Sequence, residues 1–281
     1  MRRRSLALSV LAAAALGAVA CGSGGSPAAQ PGTQREPSVS ASASAPSASP
    51  SPSTAVSAEP TSPPAATPAP SAAAATTPPP AVLAPGMSGP AVLQLQQRLA
   101  ALKYYPGPTD GEFGTDTEEA VWAIQETQGL PTTGTVGPQT QASLADPRSP
   151  AVLVPNGGST RVEVNLADEV LVLYQAGQVA LISHVSSGGG YYFCNPGGGC
   201  GYAVTPTGDF QTTTFMPGWV AVPLGEMYNP VFFIGTAFAI HGDTDVPLQP
   251  VSHGCVRIPM DIAQFFYTLV PTPGTPVYVR G

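Results

Sequence analysis

The chain has 281 residues, with ten Lys and Arg against seventeen Asp and Glu, a formal net charge of −7, and only three His. Residues 84–146 carry two basic against seven acidic side chains and residues 147–281 four against eight. This balance excludes a basic stripe for nucleic acid and a polybasic contact with anionic lipid. No His precedes position 184, so residues 84–146 lack the ligands of a tetrahedral zinc site, and no metal is expected.

Arg2-Arg3-Arg4 precede an apolar run from Leu6 to Ala20 that ends Ala18-Val19-Ala20-Cys21-Gly22-Ser23. A charged start, a short apolar core and a small-residue end predict a secretory signal over residues 1–20, and the run is too short for a membrane-spanning helix. Cys21 directly after small residues looks like a bacterial lipobox, with Ala18 where Leu is usual. That likeness implies cleavage before Cys21, lipidation of its sulfur, and anchorage in the outer leaflet of the cytoplasmic membrane. The alternative is an ordinary secretory signal with an incidental cysteine. Residues 21–83 are almost entirely Pro, Ala, Ser and Thr, with only Arg35, Glu36 and Glu59 charged. So little apolar surface cannot offset chain entropy, which predicts a disordered linker. Its prolines favour polyproline II at about 3.1 Å per residue, a reach on the order of 100 Å or more.

Val92, Leu95, Leu99 and Leu102 fall at helical spacing within Pro90 to Lys103. Tyr105 to Gly111 supply turn chemistry, and Thr115 or Asp116 is expected to cap a helix carrying Ala120, Val121, Ile124 and Gln125. A third helix is expected from Pro138 to Ala145. Asp110-Gly111-Glu112-Phe113-Gly114, then Thr117, Ala120-Val121 and Gln125, resembles the three-helix peptidoglycan-binding domain of the PG_binding_1 kind, with Ile124 where Phe is frequent. The resemblance implies a domain over 84–146 with peptidoglycan as ligand. Core packing in any small helical bundle would produce the same apolar pattern.

Residues 147–281 are long enough for one sizeable core. Arg161 to Leu166 alternates like a strand, Glu169 to Tyr174 reads as a buried one, and Ala176-Gly177-Gln178 turns into a third over Val179 to His184. His184 reads as an ordinary strand residue with no chemistry. Met260 to Leu269 is the one expected helix, its stripe of Ile262, Phe265, Phe266 and Leu269 facing the core, and Pro276 to Val279 closes the domain as a strand. Short strands between Gly/Pro loops predict a mainly β domain. Cys194 and Cys200 bracket a flexible Asn195-Pro196-Gly197-Gly198-Gly199 loop, and outside the cytoplasm such a pair is expected to be a disulfide. Cys255 is then expected to stay free.

Ser252-His253-Gly254-Cys255-Val256-Arg257, with Ile240-His241-Gly242 upstream, joins a thiol to two of the three histidines. A thiol near pKa 8.5 becomes a strong nucleophile when an imidazole takes its proton or pairs with the thiolate. Flanking glycines leave the backbone uncrowded, so an N–H near Cys255 can face an oxyanion. This signature resembles L,D-transpeptidases of the YkuD type, and the likeness extends through Val185-Ser186-Ser187-Gly188, Thr205-Pro206-Thr207-Gly208-Asp209-Phe210 and Met227 to Phe233, over roughly Arg161 to Gly281. Arg257 stands where many members carry Asn.

The resemblance implies a β-sandwich-like catalytic fold over 147–281 that uses no cofactor. Cys255 would be the nucleophile, His241 the general base oriented by the Gly242 carbonyl with Asp243 as rival, and His253 a neighbour shaping the substrate side. Gly254 and Cys255 N–H groups would hold the oxyanion, and Ser252, Arg257, Tyr228, Asn229 and Phe233 would line the substrate. The implied reaction takes a tetrapeptide stem as donor and a second stem as acceptor, releases D-alanine through a thioester, and is carried by a monomer. A carboxypeptidase that resolves the same thioester with water, and a non-catalytic wall-binding lipoprotein, stand as alternatives.

Overall fold

The computed structural model describes residues 81–281, so the expected signal 1–20, Cys21 and the Pro/Ala/Ser/Thr-rich stretch up to residue 80 lie outside the described residues. Three helices come first: α1 (Pro90–Ala101), α2 (Thr115–Gln128) and α3 (Pro138–Ala145). Proline at the first position starts α1 and α3, where its missing N–H costs nothing. Helix α1 stops short of Lys103, which takes a positive φ of 74°. The cap of α2 is Gly114, with no side-chain bond to the helix start. Thr115 and Asp116, expected as caps, therefore lie inside the first turn, where Asp116 still complements the helix dipole.

Two buried glutamines tie the loops of this helical region to its helices. Gln96 donates to Asp110 Oδ1, the Glu112 carbonyl and Thr117 Oγ1, and accepts from Gly111 N–H. Gln125 accepts from the N–H groups of Thr133 and Gly134 and donates to Thr135 O and Thr140 Oγ1. Buried amides satisfied this way fix the loops that deliver Phe113 and Val136 to the core.

Twelve strands and one further helix follow: β1 (Arg161–Asn165), β2 (Val170–Gln175), β3 (Gln178–His184), β4 (Tyr192–Cys194), β5 (Cys200–Tyr202), β6 (Gly208–Gln211), β7 (Thr214–Phe215), β8 (Trp219–Val222), β9 (Gly225–Ile234), β10 (Phe238–Asp243), β11 (Val256–Pro259), α4 (Met260–Leu269) and β12 (Pro276–Arg280). One sheet runs β3-β2-β1-β12-β6; the other runs β11-β10-β9-β7 with β8 also on β9; β4 and β5 form a separate hairpin. Alternation puts Val162, Val164, Leu171, Leu173, Val231, Ile240, Val256 and Ile258 in one core between the sheets. Helix α4 contributes Ile262 and Phe266 to it, whereas Phe265 and Leu269 are only partly buried. Phe265 instead meets Tyr105 edge-on, ring centroids 5.0 Å apart.

The helices do not hang free of the sheets. Leu95, Leu99, Tyr104, Val121 and Ile124 share a second core with Val170, Val172, Tyr174 and Ile182 of β2 and β3. The Ile182 N–H donates to the Lys103 carbonyl at 2.8 Å. Each large side chain buried there is worth roughly 1.5–3 kcal/mol, so Val170, Val172, Tyr174 and Ile182 join the sheet to the helical core. Among the described residues no helix is long and apolar enough to cross a membrane.

Candidate active site

Strands β10 and β11 run parallel, with Ile240 opposite Val256 and His241 opposite Arg257. Because side chains alternate, Ile240, Val256 and Ile258 face the core, and His241, Asp243, Cys255 and Arg257 share the other face. Cys255 is thus a diagonal neighbour of His241 across adjacent strands. That face floors a cavity of about 560 Å³, lined also by Ser252 and His253, with Asn195 and the β8–β9 hairpin as walls.

The thiol of Cys255 is free and half-buried, packed with Met227, Phe232 and Ala239 beneath the β8–β9 hairpin. Burial pushes it above the ordinary thiol range, more than the Ala239 backbone and the Arg257 charge pull it down. His241 is buried, with Nδ1 2.9 Å from the Gly242 carbonyl, so Nδ1–H donates and Nε2 carries the lone pair. Burial holds this imidazole below its usual range, against the opposing pull of the Gly242 carbonyl and Asp243. Asp243 turns to Arg257, whose Nε lies 3.1 Å from its carboxylate. Neither shift favours a resting thiolate–imidazolium pair.

Ser252-His253-Gly254-Cys255 form the turn before β11. Gly254 adopts φ 127°, and a Cβ there would lie 2.6 Å from the Phe238 ring and 2.8 Å from the Val204 carbonyl, so only glycine fits. Its N–H, expected to face an oxyanion, donates instead to Ser252 Oγ at 2.9 Å. Ser252 in turn donates to the Cys255 carbonyl at 2.6 Å, so a hydroxyl expected on the substrate is spent inside the turn. Thr205 donates to the Gly254 carbonyl and accepts from Gly188 N–H, a positioning role that sequence reasoning missed. Its place in the Thr205 to Phe210 motif was the available signal.

His253 is held by two aromatic edges, Phe193 at 4.8 Å and Tyr191 at 5.4 Å. Phe193 belongs to the β4–β5 hairpin, which the Cys194–Cys200 disulfide closes. Three expected substrate contacts are corrected. Phe233 is in the main core and faces Phe210. Asn229, at φ 47° within β9, accepts from Gly218 N–H and donates to the Ala263 carbonyl, so its amide is consumed internally. Tyr228 packs on that core and against Trp219. None of the three lines the cavity. Trp219, Leu224 and Glu226 line it instead. Their signal was the alternating Trp219 to Val222 run ending in Pro223-Leu224-Gly225, a hairpin pattern.

Residues 88–144 match the family described as putative peptidoglycan binding domain, and residues 159–279 match the L,D-transpeptidase catalytic domain, YkuD. The search of curated proteins gives no match. Among solved structures, the L,D-transpeptidase (residues 123–326) of Xylanimonas cellulosilytica is 36% identical, with the alignment covering 73% of this chain and 100% of that one at a TM-score of 0.67. An L,D-transpeptidase of Stackebrandtia nassauensis is 20% identical over 70% of this chain and 94% of that one, with a TM-score of 0.40. A thiol and two histidines at the mouth of a β domain, joined to a helical peptidoglycan-binding region, are thus seen in a chain that belongs to the L,D-transpeptidase family.

Proposed function

We propose that this protein joins peptidoglycan stems through their third residues by two-step acyl transfer on Cys255. The observation that carries the reading is the placement of His241 and Cys255 on one strand face, lining one cavity. As the Cys255 sulfur attacks the carbonyl of the third residue of a tetrapeptide donor, His241 Nε2 takes the thiol proton. The carbonyl oxygen becomes an oxyanion held by the Cys255 N–H, because the Gly254 N–H is engaged by Ser252. The bond to D-alanine breaks, the imidazolium protonates the departing amine, and a thioester remains. The side-chain amine of a third residue in another stem attacks that thioester, passes its proton to His241 and frees the thiol. His253 walls the substrate side and Arg257, fixed on Asp243, offers charge to it.

A neutral resting pair fits this order of events. With the thiol raised and the imidazole lowered by burial, the base is unprotonated and ready before substrate arrives. The remaining assignments belong to the same reading: a signal over 1–20, lipid on Cys21, a spacer over 21–83, a three-helix region over 84–146 that binds peptidoglycan, and a monomeric catalytic domain over 147–281 working outside the cytoplasmic membrane.

The test incubates the protein with disaccharide-tetrapeptide and follows products by mass spectrometry. Cross-linked dimer is the expected product, abolished in Cys255→Ala. Tripeptide alone would establish the carboxypeptidase instead. Neither product, with no adduct from a carbapenem, would leave only wall binding.

A further inference from the structure

His184 is buried at the end of β3 with both ring nitrogens engaged. Nδ1 lies 2.8 Å from Glu126 Oε1 of α2, and Nε2 lies 3.2 Å from the Pro247 carbonyl. Trp122 of α2 closes the site edge-on, ring centroids 5.4 Å apart. Pro247 begins the segment that leads into Ser252 and Cys255. The residues just after His184 zip along the same segment. Ser186 Oγ donates to the Gln249 carbonyl, Ser252 N–H donates to Ser187 O, and Ser186 and Arg257 exchange backbone bonds. The helical region therefore grips the root of the loop that carries the thiol.

We propose that Glu126 and His184 are positioning residues for the Cys255 loop, a proton-bearing clamp between helix α2 and Pro247. Both partners of the ring are acceptors when Glu126 is ionised, so both nitrogens must donate. The clamp then needs one proton more than a neutral imidazole and a carboxylate together hold. That proton sits on the ring as imidazolium, or on Glu126, whose hydroxyl would donate to Nδ1. Glu126 Oε2 is buried and has no partner among the described residues, so nothing else steadies the carboxylate.

The groups facing the clamp are Glu119 and Glu126 on α2 and Glu169 before β2, with Asp168 acting on Glu126. Burial lowers the His184 imidazole, but Glu126, Pro247 and Glu119 outweigh it and leave it above its usual range. Burial raises Glu126 against the pull of His184. Both directions favour retention of the shared proton. Above the clamp's titration one nitrogen must turn a lone pair on an acceptor, and either α2 or Pro247 is released.

The clamp bears on function only through the Cys255 reading, so two readouts on the full chain are used. The first is the rate of Cys255 acylation by a carbapenem against pH; the second is backbone amide hydrogen exchange over residues 246–258. Glu126→Ala is expected to slow acylation roughly tenfold to a hundredfold, the scale of a misplaced catalytic group, and to speed exchange at least about tenfold. Glu126→Gln is the diagnostic rescue. Its amide can donate to Nδ1 while Nε2–H still donates to Pro247, satisfying a neutral ring. It is expected to recover the neutral-pH rate and to lose the alkaline decline attributed to the clamp. Wild-type rates, profile and exchange in Glu126→Ala, measured below its unfolding range, would overturn the clamp, as would a Gln variant no better than Ala. A wild type that takes no carbapenem while exchange still responds to Glu126→Ala would sink the enzymatic reading and leave the clamp standing.

Discussion

Removing the Cys194–Cys200 disulfide, as the double variant Cys194→Ser/Cys200→Ser, should loosen one wall of the cavity without unfolding the protein. The bridge closes a sequence separation of six residues. Loop-closure entropy for so short a ring corresponds to about 2 kcal/mol. Strands β4 and β5 are three residues each and a two-stranded hairpin is marginal by itself, so nearly all of that loss falls on local opening. Opening should therefore rise roughly 30-fold, at about 1.4 kcal/mol per factor of ten. The readout is hydrogen exchange over residues 191–203, with global melting as control. Phe193 would leave His253, and carbapenem acylation of Cys255 should slow more through KM than through kcat. Unchanged exchange in the hairpin would show that Phe193 and Tyr191 hold it without the sulfurs, and the reasoning fails.

Three further outcomes are expected. Alkylation of Cys255 by iodoacetamide should be slow at neutral pH and climb through the alkaline range, because burial raises the thiol, while acylation should persist on the acid side to below pH 6.5, since His241 is depressed from that value; full alkylation by iodoacetamide at pH 6, or loss of acylation already above pH 6.5, would contradict this. Gly254→Ala should lower the melting temperature by roughly 5–10 °C, from about 3 kcal/mol of backbone strain and overlap with the Val204 carbonyl, and an unshifted melting curve would refute the need for glycine. Burial, then Asp116, raises the Glu119 carboxyl to about 8 from an ordinary 4.5. The folded chain keeps that proton where the unfolded chain has lost it, so the stability it gives is full below about pH 4.5 and is lost as pH rises through about 8. Glu119→Gln should flatten this decline in thermal melts, and parallel curves for the two proteins would dismiss it.

What the sequence revealed followed the range of the interaction. Helix α4 was legible because Ile262 and Phe266 are separated by one turn, and the strands around Val162 and Leu171 because alternation is local. Cys255 and His241 were legible through a short motif whose spacing reflects adjacent parallel strands. Tyr228, Asn229 and Phe233 misled because being close in sequence to a cavity wall does not decide which face a side chain takes; in β9 that depends on pairing with both β8 and β10. His184 looked like an ordinary strand residue because its partners, Glu126 and Pro247, lie about sixty residues away on either side. Contacts of that span leave no periodic trace.

The continuous apolar seam between Leu99, Tyr104 and Ile124 on one side and Val172 and Ile182 on the other has a mechanical consequence. Whatever polymer the helices hold is presented to the sulfur at a set offset, as by a jig, rather than by a hand swinging on a tether. The spacing between the helices and the thiol is then a property of the folded molecule itself.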